Sequence, residues 1–280
     1  MRLGIFAKTF VRPSLEAVLD AVKAHGVDCV QFNMACAGLP SLPEEIPATV
    51  CDQVRGGMGE RQMSMAAVSG TFNMIHPDPE KRRQGLRRLR VLARASSALG
   101  TGIITLCTGT RDPEDMWRAH PDNNNQDAWG DLNEAMAEAL AIAEETDVIL
   151  AFEPEAANVI DTSVKAANLL AAMRSPRLKV VIDPANLFHR GEIFRMHDIF
   201  KEAFELLGPH IVLAHAKDVD SYSRHVAAGN GLLDYDCYLN WLRTIGFEGP
   251  LILHGLEEAE VGECLAFLRK KTLGFRPVPR

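Results

Sequence analysis

Four ionisable side chains terminate apolar runs in the second half of the chain. Glu153 ends VILAFE, Asp183 ends LKVVID, His215 follows HIVLA, and His254 ends PLILH. An ionised group buried without a partner is costly, so a bound cation is a natural compensation. Two carboxylates and two imidazoles together form a mixed donor set for one divalent metal, with Mn²⁺, Mg²⁺, Co²⁺ and Zn²⁺ all compatible. Plainer roles exist for single members: Asp183 before Pro184 is also a turn pattern, and an isolated His215 would as readily be a buried histidine satisfied by backbone.

The spacing favours a common site. The four positions lie 30, 32 and 39 residues apart, and one unit of an eight-fold α/β barrel spans about 31 residues. The longest interval contains an extra loop, SYSRHVAAGNG. Residues at the C-terminal ends of barrel strands face the mouth where substrates and metals bind. A barrel would therefore explain why a buried strand such as HIVLAH runs into His215, Lys217 and Asp218.

The elements needed to hold these residues can be read along the chain. Eight short apolar runs, RLGIFA, VDCVQF, SMAAVSG, GIITLC, VILAFE, LKVVID, HIVLAH and PLILHG, alternate with amphipathic stretches. That alternation argues for parallel pairing, and runs lacking a clean polar alternation imply strands covered on both faces. In the helix that follows HP, Asp78 is the expected N-cap, Pro79 the first residue, Glu80 a first-turn acid and Gly100 the stop, with Gly85 inside. Ser14 and Gly26 bracket another, with Leu15, Val18, Leu19 and Val22 at helical spacing. Residues 33–50 and 108–131 are long irregular segments after strands two and four, at the expected site face. We expect one domain over 1–280, an α/β chain forming a single (β/α)8 barrel with an eight-stranded parallel core, in preference to an open doubly wound sheet.

Composition narrows the function. Of the 280 residues, 47% are hydrophobic and 24% charged, ordinary values for a folded globular chain. A net charge of −7 opposes nucleic-acid binding and favours a small-molecule partner. Arg83, Arg87 and Arg90 form one helical stripe, read as a solvated face or subunit contact rather than a polyanion site. No apolar run suits a membrane span or signal peptide, so a cytoplasmic protein is expected. The six cysteines show no CxxC pair and are expected to be reduced thiols. No GxGxxG follows the first strand and no GxxxxGK[ST] occurs, which argues against dinucleotide or P-loop phosphate binding.

The motifs FEPE, IDPAN, AHAKD, the late R....GNG..DY and L...GFEGPLIL, with VSGTFNMIHPD and MRLGIFAKTF earlier, resemble the xylose isomerase-like barrels. That family includes ketose 3-epimerases, inosose dehydratases and related sugar phosphate isomerases. The resemblance implies that Glu153, Asp183 and His215 bind one divalent metal. The fourth ligand, commonly Glu, does not carry over cleanly: His254 stands there with Glu257 and Glu258 just beyond, and either His254 or Glu257 could complete the site. Asn186 and Glu155 stand where relatives commonly have histidines.

In the epimerase pattern two glutamates on opposite faces of a substrate carbon exchange its proton through a metal-stabilised enediolate. With His254 in place of one, a one-base isomerisation or a dehydration needs only Glu153 as base and an acid such as His254. The expected activity is thus isomerisation or epimerisation of a small sugar, sugar acid or polyol. Alternatives are dehydration of an inosose-like polyol and a non-catalytic sugar-binding barrel. Abasic-site endonucleases share the barrel, but the depleted ligand set and net acidity oppose that activity. Lys217 is expected to touch substrate or orient the ligands, and Arg224, by resemblance, lies near metal and substrate. His76, Asn73 and Trp117 are further pocket candidates, and Lys8 could bind a carboxylate or phosphate. Glu257 could instead cap the last helix. The resemblance also implies a homo-oligomer, a dimer or tetramer.

Overall fold

The computed structural model describes residues 1–274. Eight strands close a parallel barrel: β1 (Leu3–Phe6), β2 (Cys29–Phe32), β3 (Ser64–Ser69), β4 (Ile103–Cys107), β5 (Ile149–Glu153), β6 (Leu178–Ile182), β7 (Ile211–Ala216) and, after a two-stranded hairpin of β8 (Asp218–Val219) and β9 (His225–Val226), β10 (Leu251–Leu253). Closure joins first to last, with Leu3 opposite Leu251 and Ile5 opposite Leu253. The eight apolar runs are these eight barrel strands, and the extra loop before β10 carries the hairpin.

Helices α1 (Leu15–Ala24), α2 (Ala48–Glu60), α3 (Pro79–Leu99), α4 (Gln126–Thr146), α5 (Ser163–Met173), α6 (Met196–Leu207), α7 (Tyr235–Thr244) and α8 (Val261–Lys271) surround the barrel. Their boundaries follow local chemistry. The Ser14 side chain accepts from Ala17 N, and Asp78 accepts from Glu80 N ahead of Pro79. Gly100 ends α3 at φ 96°, a left-handed conformation open to glycine at little steric cost.

Two cores result. Alternate strand residues such as Val30, Phe152 and Ile182 pack outward against the helices, while Cys29, Ala67, Ala151, Val181, Leu213 and Ile252 form a compact cluster inside the barrel. Strand side chains alternate with period two. Stepping two residues from Ala151, Val181, Leu213 and Ile252 therefore reaches Glu153, Asp183, His215 and His254. The same parity brings Gln31, Ser69 and Cys107 inward on β2 to β4. Apolar filling below and polar groups at the C-terminal rim are two successive layers of one interior.

Gly85 in the middle of α3 has a packing reason. A Cβ built there would lie 2.1 Å from the Phe72 ring, which rests directly on the helix. Gly85→Ala gains ~1 kcal/mol of helix propensity but meets an overpacking cost of about 1–3 kcal/mol. We expect a lower urea midpoint, and an unchanged or higher midpoint would show that Phe72 yields freely.

Candidate active site

Glu153, Asp183, His215 and His254 converge at the floor of a cavity of about 530 Å³ at the C-terminal end of the barrel. His215 is the hub. Its Nδ1 lies 3.3 Å from Glu153 Oε2 and 3.4 Å from Asp183 Oδ2. Its Nε2 lies 2.8 Å from Gln31 Oε1, and because an amide oxygen only accepts, Nε2 carries the hydrogen. In the neutral ring this leaves the Nδ1 lone pair facing the carboxylates. His254 stacks flat on His215, ring centres 4.6 Å apart and planes at 1°, with Phe6 against its other side at 5.0 Å.

Asp183 is wholly buried beneath the cavity. Its Oδ1 accepts from Ala185 N at 2.9 Å, and its Oδ2 lies 3.1 Å from Lys217 Nζ. Lys217 also donates to Asn186 Oδ1 at 2.8 Å, and Asn186 Nδ2 in turn donates to Glu153. Lys217 and Asn186 thus tie Asp183 and Glu153 into one network. Asn186, Glu155 and Lys217 all reach the cavity wall.

The buried charges shift one another. Burial opposes ionisation of Asp183, but Lys217 and His215 outweigh it and hold the carboxyl well below its usual range. Burial would lower His215, yet Glu153 and Asp183 push it up to about 9. His254 moves the other way: burial and then the His215 charge hold it neutral, well below an ordinary histidine. Glu155 is pushed up to about 7 by burial and by the charge of Glu153.

His215 Nδ1 and His254 Nδ1 are buried without a well-formed hydrogen bond, and Asp183 Oδ2 is buried with ion-pair contacts only, to Lys217 and His215. The same three residues offer donor atoms within 4.8 Å of one another. Unsatisfied buried polar atoms ask for an explanation, and a mixed carboxylate–imidazole set is that of a borderline divalent ion. The residues present fit such an ion, with Glu153 beside them. Glu257 does not take part: it is exposed and forms a reciprocal capping box with Glu260.

Opposite this charged half, the wall is hydroxyl and amide. Gln31, Asn33, Ser69, Thr71 and Thr105 face the cavity from the β2 to β4 side. These residues were not singled out from sequence, although their inward parity on the strands is a usable signal. His225 on β9 also reaches the cavity. Lys8 lines it, 3.4 Å from Ser41 Oγ and with no acidic partner within 4 Å among the described residues, and Trp117, 53% exposed, stands at its edge.

Three other candidates have local partners: Arg224 stands outside the cavity, whereas His76 and Asn73 line a second cavity that adjoins it. Arg224 is exposed and paired with Asp220 at 2.6 Å, outside the cavity. His76 Nδ1 accepts from Asp78 N, so its Nε2 donates to Pro113 O at 3.1 Å. Asn73 is spent on Thr110, donating to its carbonyl at 2.8 Å and accepting from its N–H at 3.0 Å. Both brace the segment after β4. Asp218, next to Lys217, accepts from Val219 N and Leu233 N and fixes the extra loop.

The segment after β4 presents Met116 and Trp117 to the cavity from a knot around Asp112. That carboxylate accepts from Glu114 N and Asp115 N, each at 2.9 Å, and from Arg118 Nη2 at 2.8 Å. The Arg118 guanidinium, then these N–H groups, hold Asp112 well below the usual carboxylate range. A depressed folded pKa gives stabilisation present above the unfolded value, about 3.9, and lost as pH falls through the folded one. We expect Asp112→Asn to speed proteolysis within 112–120 at neutral pH, and the wild type to lose its protection only under strong acid. Equal cleavage of both proteins would place the loop's order elsewhere.

The sequence pattern of the xylose isomerase-like TIM barrel family matches residues 19–271. The chain belongs to that family. No curated protein matches it by sequence. Among solved structures, this family member is similar to 3-keto-D-glucoside 4-epimerase from E. coli (TM-score 0.72, 16% identity, covering 96% of this chain and 99% of that one). It is also similar to D-psicose 3-epimerase from Clostridium cellulolyticum (0.72, 15%, 96% and 99%) and to a probable 3-DHS dehydratase from Bacillus anthracis (0.75, 13%, 96% and 98%). At these identities the likeness is one of fold. No helix among the described residues is long and apolar enough to cross a membrane.

Proposed function

We propose that this xylose isomerase-like barrel is a divalent-metal-dependent isomerase or epimerase acting by proton transfer on a small sugar, sugar acid or polyol. The observation that carries the reading is the convergence of Asp183, His215 and His254, each with a buried atom that lacks a well-formed hydrogen bond, beside Glu153 on the floor of a hydroxyl-lined cavity. Epimerases and a dehydratase among the structural neighbours support an enzyme of carbohydrate-like substrates.

Asp183, His215 and His254 would hold the ion, with Glu153 alongside. When bound, it polarises a substrate carbonyl and acidifies the adjacent C–H. Glu153 is the group placed to accept that proton: its carboxylate is partly open to the cavity and oriented by Asn186. Gln31, Asn33, Ser69 and Thr105 supply donors and acceptors for substrate hydroxyls. Lys8, with no acidic partner among the described residues, suits a carboxylate on a sugar acid.

Dehydration is the second reading, favoured by one observation. The strand-end position on β10 holds His254 in place of a second carboxylate, so the floor offers one carboxylate base rather than two equivalent ones. The test is to incubate Zn²⁺-, Mn²⁺- and Co²⁺-loaded protein with ketoses, aldoses, sugar acids and inososes in D₂O. Deuterium incorporation with all hydroxyls retained supports isomerisation, and loss of water to a conjugated carbonyl supports dehydration. Bound metal without either reaction would leave a sugar-binding barrel.

A further inference from the structure

A second cavity of about 500 Å³ adjoins the first, and Ser41, Thr71 and Met116 line both. The site is therefore one cleft with an inner and an outer chamber. A polar track joins them: Ser69 Oγ in the inner chamber lies 2.9 Å from Thr71 Oγ1 at the neck, and Ser41 Oγ faces it from the 33–50 segment with Lys8 behind. The outer chamber exists because Gly85 lets α3 lie against Phe72, whose ring becomes part of the wall.

The outer chamber's chemistry identifies its occupant. Phe72, Leu42 and Pro113 give apolar faces, Lys81 lines the chamber from α3 beside Gln84, whose Nε2 donates to Glu44 at 3.3 Å, and Glu114 and Asp115 bring acceptors from the segment after β4. Arg88 is already paired with Glu44 at 2.8 Å. The carboxylates Asp112, Glu114 and Asp115 outnumber the cations Lys81 and Arg88 on these walls, so nothing concentrates positive charge as a phosphate or nucleotide would require. A neutral sugar ring, apolar on its C–H faces and both donor and acceptor around its edge, matches these walls. The volume lies within the ordinary range for a small-molecule site.

We infer that the substrate is a glycoside with a second sugar unit: the reacting ring occupies the inner chamber and the glycosyl extension passes Ser41, Thr71 and Met116 into the outer one. This rests on the carbohydrate reading of the inner chamber and specifies its substrate class.

The experiment is calorimetric titration of Zn²⁺-loaded protein with D-glucose and D-galactose, then with maltose, cellobiose, lactose and trehalose. The expected result is a disaccharide that binds at least about tenfold more tightly than its component sugar, equivalent to about 1.4 kcal/mol. Gln84→Trp, which places an indole in the outer chamber, should bring that ratio to within about twofold, and Lys81→Trp, one turn earlier on α3, should do the same. Disaccharides no tighter than monosaccharides, or a ratio unmoved by both variants, would overturn the inference while leaving the carbohydrate reading intact. Binding of neither class would sink the carbohydrate reading itself, and this inference with it.

Discussion

Glu153→Gln is expected to lower turnover by about 10²–10⁴-fold, the usual contribution of a positioned general base. Among the four strand-end residues at the floor, Glu153 is the only carboxylate open to the cavity, because Asp183 is fully buried and already engaged by Lys217. The substitution keeps the shape and can still meet Asn186, but an amide cannot take a proton from carbon. The decisive readout is solvent deuterium entering substrate at saturating metal, which separates lost proton transfer from weakened ion binding. A fall of less than about tenfold would move the base to Glu155, which shares the cavity and is pushed up to about 7.

Much of this site was legible because barrel strands impose a simple rule. Once VILAFE and LKVVID are strands of one barrel, Glu153 and Asp183 must lie at the same rim, whatever the loops do. The ambiguity between His254 and Glu257 needed the register. Ile252 packs inside the barrel, so His254 is inward by parity, whereas Glu257 lies beyond the strand and is claimed by its capping box. Gln31, Ser69 and Thr105 obey the same parity, but a strand read only as an apolar run hides its inward polar members.

Loops resisted for a different reason. Arg224 and His76 are positioned by nearby partners, Asp220 in one case and Asp78 with Pro113 in the other. Nothing in residue type alone distinguishes a side chain reaching into a cavity from one holding its own turn. The 108–131 segment likewise reads as a long irregular stretch, yet Asp112, Asn73 and Asn123 give it a defined hydrogen-bonded course. The two-chamber cleft depends on that course and on Gly85, and no strand periodicity encodes either.

Asp183→Asn is expected to destabilise the chelator-treated protein by about 3–5 kcal/mol, the range for breaking a buried ion pair from one side. Lys217→Met should cost a comparable amount, because Lys217 is almost fully buried with its ammonium 3.1 Å from Asp183 Oδ2. If the two groups stabilise mainly each other, the double variant loses less than the sum, by about 0.5–3 kcal/mol, in urea unfolding. Additive losses would mean that Lys217 is held chiefly by Asn186 and the neighbouring carboxylates. The two single variants should part company toward divalent ions. Asp183→Asn removes a donor and weakens Zn²⁺ binding, whereas Lys217→Met removes a positive charge from the oxygen an ion would share and strengthens it. Lys217 would then be a built-in counter-cation, holding the carboxylate floor together while limiting how tightly a metal ion is retained, and weaker Zn²⁺ binding by Lys217→Met would instead make it a support that orients Asp183 for the ion.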